Sequence, residues 1–575
     1  MSKTILESEY DLGAITPNIA QMLRRNVKKF SSRYVFKQKQ NNVYTGIKWQ
    51  EFYTNIKRIA FRLKQLGFSK GDKALILSRN RIEMLQTELA IQSSGGISVP
   101  VFYNLKKPVV SKLFQHSDAE YIFVGGSDQL DKIDPELPFK KICSFDDITH
   151  QDFADIISFK DLVRPCDLSG FSLDFNAGPE EICLNMYTSG TMGVQKCVQL
   201  THRNILSQQA ALDILWKIDE NDRFLSYLPW HHSFGGIFEK VTAIYSGAVM
   251  HLESGYGADP QVILENWRIV KPTVFFSVPL VYQSLYSLAK ENREAENIFF
   301  HPDLKFVFTA AAPLPKNISD EFEKRGINVI EGWGLTETTP CCTLTDPKLK
   351  RVPGVVGKTI PGVKLRLAED NEIQVQGPNV MKGYYKNKEA NDKAFTTDGW
   401  FCTGDVGEFT KTGLKLIARK DRIFKLLNAE KIVPSDLEKK ILSKCSYLSY
   451  VLVEGSGRKY PVALLFPNKA LVNSTGNNAV HIENCSCPAN LEALATCLKD
   501  CLFKVNSGIK EKFARINCAM LIDNALSVED KTLTASMKMM PNSVKKVYKA
   551  HLQKIYGEDK EIAENFYIVP LHEEK

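Results

Sequence analysis

Between Ala74 and Phe308 the chain keeps returning to one pattern, a short apolar run followed by a longer stretch of helical periodicity. Ala74–Leu77, Ile97–Phe102, Tyr121–Val124, Phe224–Leu228, Val274–Val278 and Phe306–Phe308 are the runs. Strands separated by helices are joined by crossovers, and crossovers build parallel or mixed sheets covered on both faces. The predicted class is therefore α/β, with several sheets in a large N-terminal domain. Near Gly413 the character changes. Leu414–Ile417 and Ile423–Leu427 are predicted as neighbouring strands, joined by the charged stretch Arg419-Lys420-Asp421-Arg422. Ser435 and Glu438 have capping-box spacing and predict a helix start. Tyr450–Val453 and Val462–Phe466 flank Gly455-Ser456-Gly457 and predict a hairpin. A boundary at this charged stretch divides the chain into residues 1–420 and a smaller α+β domain, residues 421–575.

Charge and composition exclude more than they assign. Lys plus Arg number 74 and Asp plus Glu 66, a net +8 over 575 residues. That excess suits anionic small molecules or an anionic surface. No zinc-finger spacing, RNP-like motif or long basic tract points to nucleic acid. No run approaches the ~18 apolar residues of a membrane span; Val274–Tyr282 is broken by Ser277 and Pro279. Thirteen cysteines, an odd number, do not form an evident disulfide framework. Met1–Leu12 lacks the basic and apolar regions of a secretory signal. A reduced, cytoplasmic protein is expected. Ile19, Met22, Leu23, Val27 and Phe30 recur at helical spacing, with Arg24, Arg25, Lys28 and Lys29 between them. A helix packed on the domain with a solvated basic face is the expectation; peripheral docking on anionic lipid is the alternative. His481, Cys485, Cys487, Cys497 and Cys501 cluster without regular CxxC pairs, so thiols rather than a zinc site are expected.

The segment with the most chemistry is Tyr187-Thr188-Ser189-Gly190-Thr191-Met192-Gly193-Val194-Gln195-Lys196, between the predicted strands Ile182–Met186 and Cys197–Leu200. Small hydroxyl residues and glycines leave backbone N–H groups free to wrap phosphate oxygens, and the lysine adds a point charge. It is not a Walker loop, whose spacing is absent and which leads into a helix.

This segment resembles the phosphate loop of the adenylate-forming superfamily, which comprises acyl-CoA synthetases, peptide-synthetase adenylation domains and luciferases. Further blocks resemble that superfamily in its own order. Thr309-Ala310-Ala311-Ala312-Pro313-Leu314 is similar to the adenine-pocket loop. Gly332-Trp333-Gly334-Leu335-Thr336-Glu337-Thr338 is similar to the adenine-stacking and Mg²⁺-binding block. Gly399-Trp400-Phe401-Cys402-Thr403-Gly404-Asp405 resembles the ribose block, Arg419–Arg422 the interdomain hinge, and Thr534-Ala535-Ser536-Met537-Lys538 the catalytic-lysine block.

The resemblance implies ATP, Mg²⁺ and CoA as cofactor and co-substrates, a mobile C-terminal domain, and a role for each block. Thr188, Ser189, Gly190, Thr191, Gly193 and Lys196 would hold phosphates; Ala310, Ala311, Gly332, Trp333 and Gly334 would line the adenine site. Asp405 and Arg419 would bind ribose, Glu337 Mg²⁺ and Thr336 a phosphate oxygen; Asp421 would be the pivot. Lys538 would stand between the attacking carboxylate and the anionic α-phosphate, offsetting their repulsion. Taken alone, Glu337 reads first as a surface acid capping a helix, and Trp333 is equally a core aromatic.

Leu228-Pro229-Trp230-His231-His232-Ser233-Phe234 resembles the acyl-site block, with His232 at the carboxylate end. Lys271–Pro279, Gly357–Gly362, Gly377–Tyr384 and Ile423–Leu426 are most similar to long-chain fatty acyl-CoA synthetases. Gln195, Met192, Cys197 and Ala429 depart from the family pattern. The implied activity is activation of a fatty acid to acyl-AMP and then acyl-CoA. A fatty acyl-AMP ligase loading a carrier protein and a non-catalytic lipid- or nucleotide-binding relative are the alternatives.

Overall fold

Strands Lys73–Leu77 and Tyr121–Val124 are buried on both faces. Ala74, Ile76, Tyr121 and Phe123 enter one apolar cluster, whereas Leu75, Leu77, Ile122 and Val124 enter another. Continuous apolar runs rather than alternating ones follow from that two-sided burial. The structure is a computed structural model that describes residues 4–188, 195–310, 314–445, 447–468, 472, 490–527, 530–533, 539–558, 561–562 and 565–571.

Among the described residues, an eight-stranded and a fourteen-stranded sheet make up the large domain. In the smaller of the two, Lys73–Leu77, Ile97–Val101, Tyr121–Val124, Lys141–Ser144 and Ile156–Ser158 run parallel. Ile182–Thr188 joins them in parallel and turns back as the antiparallel strand Lys196–Thr201. In the larger sheet Arg223–Ser226, Val274–Ser277, Phe306–Thr309 and Asn328–Trp333 are parallel. Beyond Trp333 the pairing becomes antiparallel, through Thr343–Leu344, Val355–Thr359, Gly413–Arg419 and Phe401–Thr410. The change of direction opens a crevice at the carboxyl end of the last parallel strand, the usual place for a ligand in α/β sheets.

The second unit begins with its own core at Phe424. Leu448–Glu454, Val462–Pro467, Cys518–Ile522 and Phe566–Pro570 form a four-stranded mixed sheet. Successive residues serve opposite faces: Ala463 and Leu465 pack toward helices Pro434–Lys444 and Leu491–Ser507, and Val462, Leu464 and Phe466 toward Val544 and Tyr548. The predicted hairpin is present, as Leu448–Glu454 with Val462–Pro467.

Two local expectations are corrected. Gly413–Arg419 does not neighbour the next apolar run; it pairs within the large sheet, while Phe424–Lys425 pairs with Lys431–Ile432 in a separate ribbon. A 3₁₀ turn at Lys420–Arg422 separates them, and its two ends are tied to different units. Nor do Ser435 and Glu438 form a capping box. Pro434 occupies the first helical turn, Val433 is the N-cap without a side-chain bond, and Glu438 is instead buried against Arg422 and the Val453 N–H.

Helix Ile19–Phe30 buries the five apolar residues expected of it and exposes Arg24, Arg25, Lys28 and Lys29. Arg24 stacks over Phe175 and Arg25 over Tyr245, so its apolar face belongs to the core. No helix among the described residues is long and apolar enough to cross a membrane.

Candidate active site

Trp333 ends the last parallel strand, and its indole N–H donates to Asp405 Oδ2 at 2.8 Å. Asp405 and Arg419 face each other across the antiparallel pair Phe401–Thr410 and Gly413–Arg419. That register brings Arg419 Nη1 to 2.9 Å from Asp405 Oδ1 and 3.2 Å from the Thr403 carbonyl. Gly404 takes φ +71°, and a Cβ there would lie 3.2 Å from Arg419 Nη2. Burial pushes the Asp405 carboxyl pKa up, with the Arg419 charge and the Trp333 bond working against it. Each carboxylate oxygen has two lone pairs, so both can still accept a ribose hydroxyl. Alongside, Glu372 accepts from the Gly404 N–H at 2.9 Å and from Lys420 Nζ at 2.8 Å. The hydrogen bonds that Lys420 donates to Asp370 and Glu372 raise its pKa.

A second corner lies on the other side of Trp333. Thr188 and Lys196 are opposed at the mouth of the hairpin that carries the predicted phosphate loop. Lys196 Nζ stands 4.6 Å from the centre of the Tyr384 ring, and the Tyr384 hydroxyl donates to Glu337 Oε1 at 2.8 Å. Tyr384 is positioned by the short strand Gly383–Tyr384, which pairs with Val198 and Gln199. Burial first, and then the Glu337 charge, raise the Tyr384 pKa, so it stays a neutral donor. A carboxylate steadied through one oxygen and set near a lysine fits the hard-oxygen coordination of Mg²⁺ beside phosphate.

Thr336 joins this corner to the acyl-site block, since its Oγ1 lies 3.0 Å from Ser233 Oγ. The turn between them and the strand is tight: a Cβ at Gly334 would come within 1.9 Å of the Pro340 carbonyl oxygen. Asn379 braces it by donating to the Thr338 and Cys341 carbonyls at 2.9 and 3.1 Å. His232 Nδ1 accepts from the Phe234 N–H at 3.3 Å, which orients the ring at the start of the π-helix Phe234–Glu239. His231 packs edge-on to Phe102 at 4.3 Å. Burial, reinforced by His232, lowers its pKa to about 3, and it is neutral.

The structure thus brings together Thr188, Lys196, Trp333, Thr336, Glu337, His232, Asp405 and Arg419. Gly332 lies in the same strand as Trp333, paired with Leu344, and Ala310 follows the neighbouring parallel strand. Ser189, Gly190, Thr191, Gly193, Ala311 and Lys538 lie outside the described residues, as do His481, Cys485 and Cys487. Asp421 Oδ1 is 3.8 Å from Arg419 Nε.

Sequence reasoning gave no role to Tyr384, Ser233, Glu372 or Glu331. Glu331 holds Arg351 at 2.5 Å and accepts from the Leu314 N–H at 3.0 Å, fixing the far end of the adenine-loop segment. Tyr384 and Ser233 stood inside quoted motifs, so their positions were visible; their partners were not.

Residues 23–385 match the AMP-binding enzyme family, and residues 421–560 match the AMP-binding enzyme C-terminal domain. The chain is 25% identical to a probable CoA ligase of Humulus lupulus over 92% of this chain and 90% of that protein. It is 23% identical to a long-chain-fatty-acid–CoA ligase of Homo sapiens, over 84% of this chain and 78% of that protein. In fold it matches O-succinylbenzoate coenzyme A synthetase from Bacillus subtilis in complex with AMP, with a TM-score of 0.71 at 21% identity, covering 92% of this chain and 98% of that one. ATP-bound MatB from Rhodopseudomonas palustris matches with a TM-score of 0.73 at 20% identity, covering 92% and 99%.

Proposed function

This chain belongs to the AMP-binding enzyme family, and we propose that it is an ATP-dependent acid–thiol ligase that activates a fatty acid, long-chain by its motifs, and passes it to CoA. The observation that carries this reading is the 3.0 Å contact between Ser233 and Thr336. It supports the reading because Ser233 belongs to the block proposed to bind the acid and Thr336 to the one proposed for phosphate and metal, and a carboxylate must meet the α-phosphorus of ATP between them. In the first half-reaction the carboxylate oxygen bonds to that phosphorus and the bond to pyrophosphate breaks. Asp405 and Arg419 hold the ribose, Lys196 and the backbone of the 188–196 hairpin hold phosphates, and Lys538 stabilises the developing charge. Glu337 would hold Mg²⁺, whose charge would offset that of the phosphates. In the second half-reaction the thiolate of CoA attacks the acyl carbonyl and AMP leaves.

The two half-reactions need different neighbours at one centre, and the chain around Asp421 is built to supply them. Lys420 is tied to Asp370 and Glu372 of the large domain at 2.7 and 2.8 Å, and Arg422 to Glu438 of the small one at 2.5 Å. One residue, Asp421, lies between the anchors. We place the domain boundary at 420/421 on that ground, with rotation about Asp421 exchanging Lys538 for the pantetheine path. Exchange of labelled pyrophosphate into ATP, run over acids of graded chain length with CoA-dependent AMP release measured in parallel, tests the proposal. Acid-dependent exchange together with CoA turnover is expected. Exchange without CoA turnover identifies a carrier-loading ligase, and neither activity with any acid contradicts catalysis altogether.

A further inference from the structure

Outside the active site, the small domain gathers three cysteines where its two helices meet. Cys445 closes helix Pro434–Lys444 and is part of the apolar core. Cys497 and Cys501 lie one turn apart on helix Leu491–Ser507, both half-buried. Cys501 packs against the same core as Cys445, and its Sγ lies 3.8 Å from the carbonyl of Lys444, the residue preceding Cys445. Cys445 and Cys497 both stand beside Cys501, close enough to act on its charge. Two neighbouring thiols directed at one sulfur stabilise its anion. Cys445 and then Cys497, with Lys504 adding and burial and Asp500 opposing, bring the Cys501 pKa down to about 6. The described cysteines elsewhere differ: Cys143, Cys183, Cys197, Cys341 and Cys342 are buried thiols whose pKa is raised.

We propose that Cys501 and Cys445 form a peroxide-reactive dithiol, with Cys501 as the attacking thiolate and Cys445 as the resolving thiol. In the first step Cys501 sulfur attacks one oxygen of hydrogen peroxide. The O–O bond breaks, a sulfenic acid forms, and the other oxygen leaves as hydroxide that takes a proton to become water. In the second step the Cys445 sulfur attacks the Cys501 sulfur, the S–O bond breaks and a second water leaves. Peroxide gains two electrons and the sulfur pair loses two. Cys445 is preferred to Cys497 as the partner because a disulfide within one helical turn distorts the helix, whereas Cys445 approaches from a separate element. The site is independent of the ligase reading.

Reaction rate alone is a poor test. A low pKa raises the thiolate fraction about 30-fold at pH 7 but weakens the nucleophile, leaving roughly a twofold advantage. The products discriminate better. The reduced full-length chain is treated with hydrogen peroxide in the presence of dimedone, and its peptides are read without reduction by mass spectrometry. A Cys445–Cys501 cross-link, two hydrogens lighter and reversed by dithiothreitol, is expected in the unaltered protein, without a dimedone adduct on Cys501. Cys445→Ser should lose the cross-link and gain the adduct on Cys501. Cys501→Ser, at a half-exposed position, should leave Cys445 reduced. A cross-link through Cys497, or oxidation of Cys166 and Cys402 with Cys501 untouched, overturns the proposal.

Discussion

Asp405 and Glu337 are carboxylates on the same wall of the large domain, and the protein secures them differently. Asp405 is half-buried and bonded through both oxygens, to an indole N–H and to a guanidinium. Glu337 is steadied by one neutral hydroxyl, and Lys196 rests on the Tyr384 ring with no carboxylate paired to it among the described residues. A cation on an aromatic face gives up about 0.5–2 kcal/mol on leaving, whereas Asp405 is held by two hydrogen bonds, one of them charge-assisted. The corner proposed for ribose is therefore finished before a nucleotide arrives. The corner proposed for phosphate and Mg²⁺ keeps its charges available.

The largest expected effect concerns the scaffold both corners share. His202 is buried at the head of helix His202–Trp216, and burial lowers its pKa to about 4. A depressed imidazole contributes stability that is present above about pH 6.5 and is lost as pH falls toward 4. The loss runs at about 1.4 kcal/mol per pH unit, so about 3 kcal/mol is at stake. His202→Gln should flatten the acid dependence of urea unfolding by that amount relative to the unaltered protein. All six tryptophans precede residue 401, so their fluorescence reads this domain alone. Identical pH dependence in the two proteins would contradict the assignment.

Glu337→Gln comes next. It removes the charge offered to the metal and should slow pyrophosphate exchange by about 10²-fold, with Mg²⁺ needed at higher concentration. Asp405→Asn should raise the KM for ATP by about tenfold for each ~1.4 kcal/mol of ribose binding lost, with the Mg²⁺ requirement unchanged. A shift in that requirement would erase the contrast between the corners. Tyr384→Phe removes one hydrogen bond to a carboxylate, worth about 1.5 kcal/mol at the low end, and should cost about tenfold in exchange rate. A loss as large as that of Glu337→Gln would make Tyr384 a member of the metal site itself.

Much of this arrangement was legible in the chain. Tyr121–Val124 was read with its observed ends because a strand buried on both faces leaves an unbroken apolar run. The blocks holding Trp333, Glu337, Asp405 and Arg419 were legible because each concentrates glycine with one chemical group. Partners were not. Trp333 meets Asp405 across 72 positions, and nothing local to either residue encodes that bond. The error at Ile423–Leu427 has the same origin. Apolar composition gave a strand, but its neighbour was set by Lys420 and Arg422 binding to different units. Ser435 and Glu438 kept capping-box spacing, yet the helix starts at Pro434, ahead of Ser435, and Glu438 is taken by Arg422 and the Val453 N–H.

The contrast between the corners is tested most directly by the affinity for AMP, measured calorimetrically with Mg²⁺ and with a chelator. AMP carries the ribose and a single phosphate, so its binding reads the finished corner. The unaltered protein and Glu337→Gln should bind AMP equally well under both conditions, and Asp405→Asn should bind it about tenfold more weakly under both. Loss of AMP binding on chelation, matched by the same loss in Glu337→Gln, would show that the ribose corner depends on the metal corner and is not prebuilt.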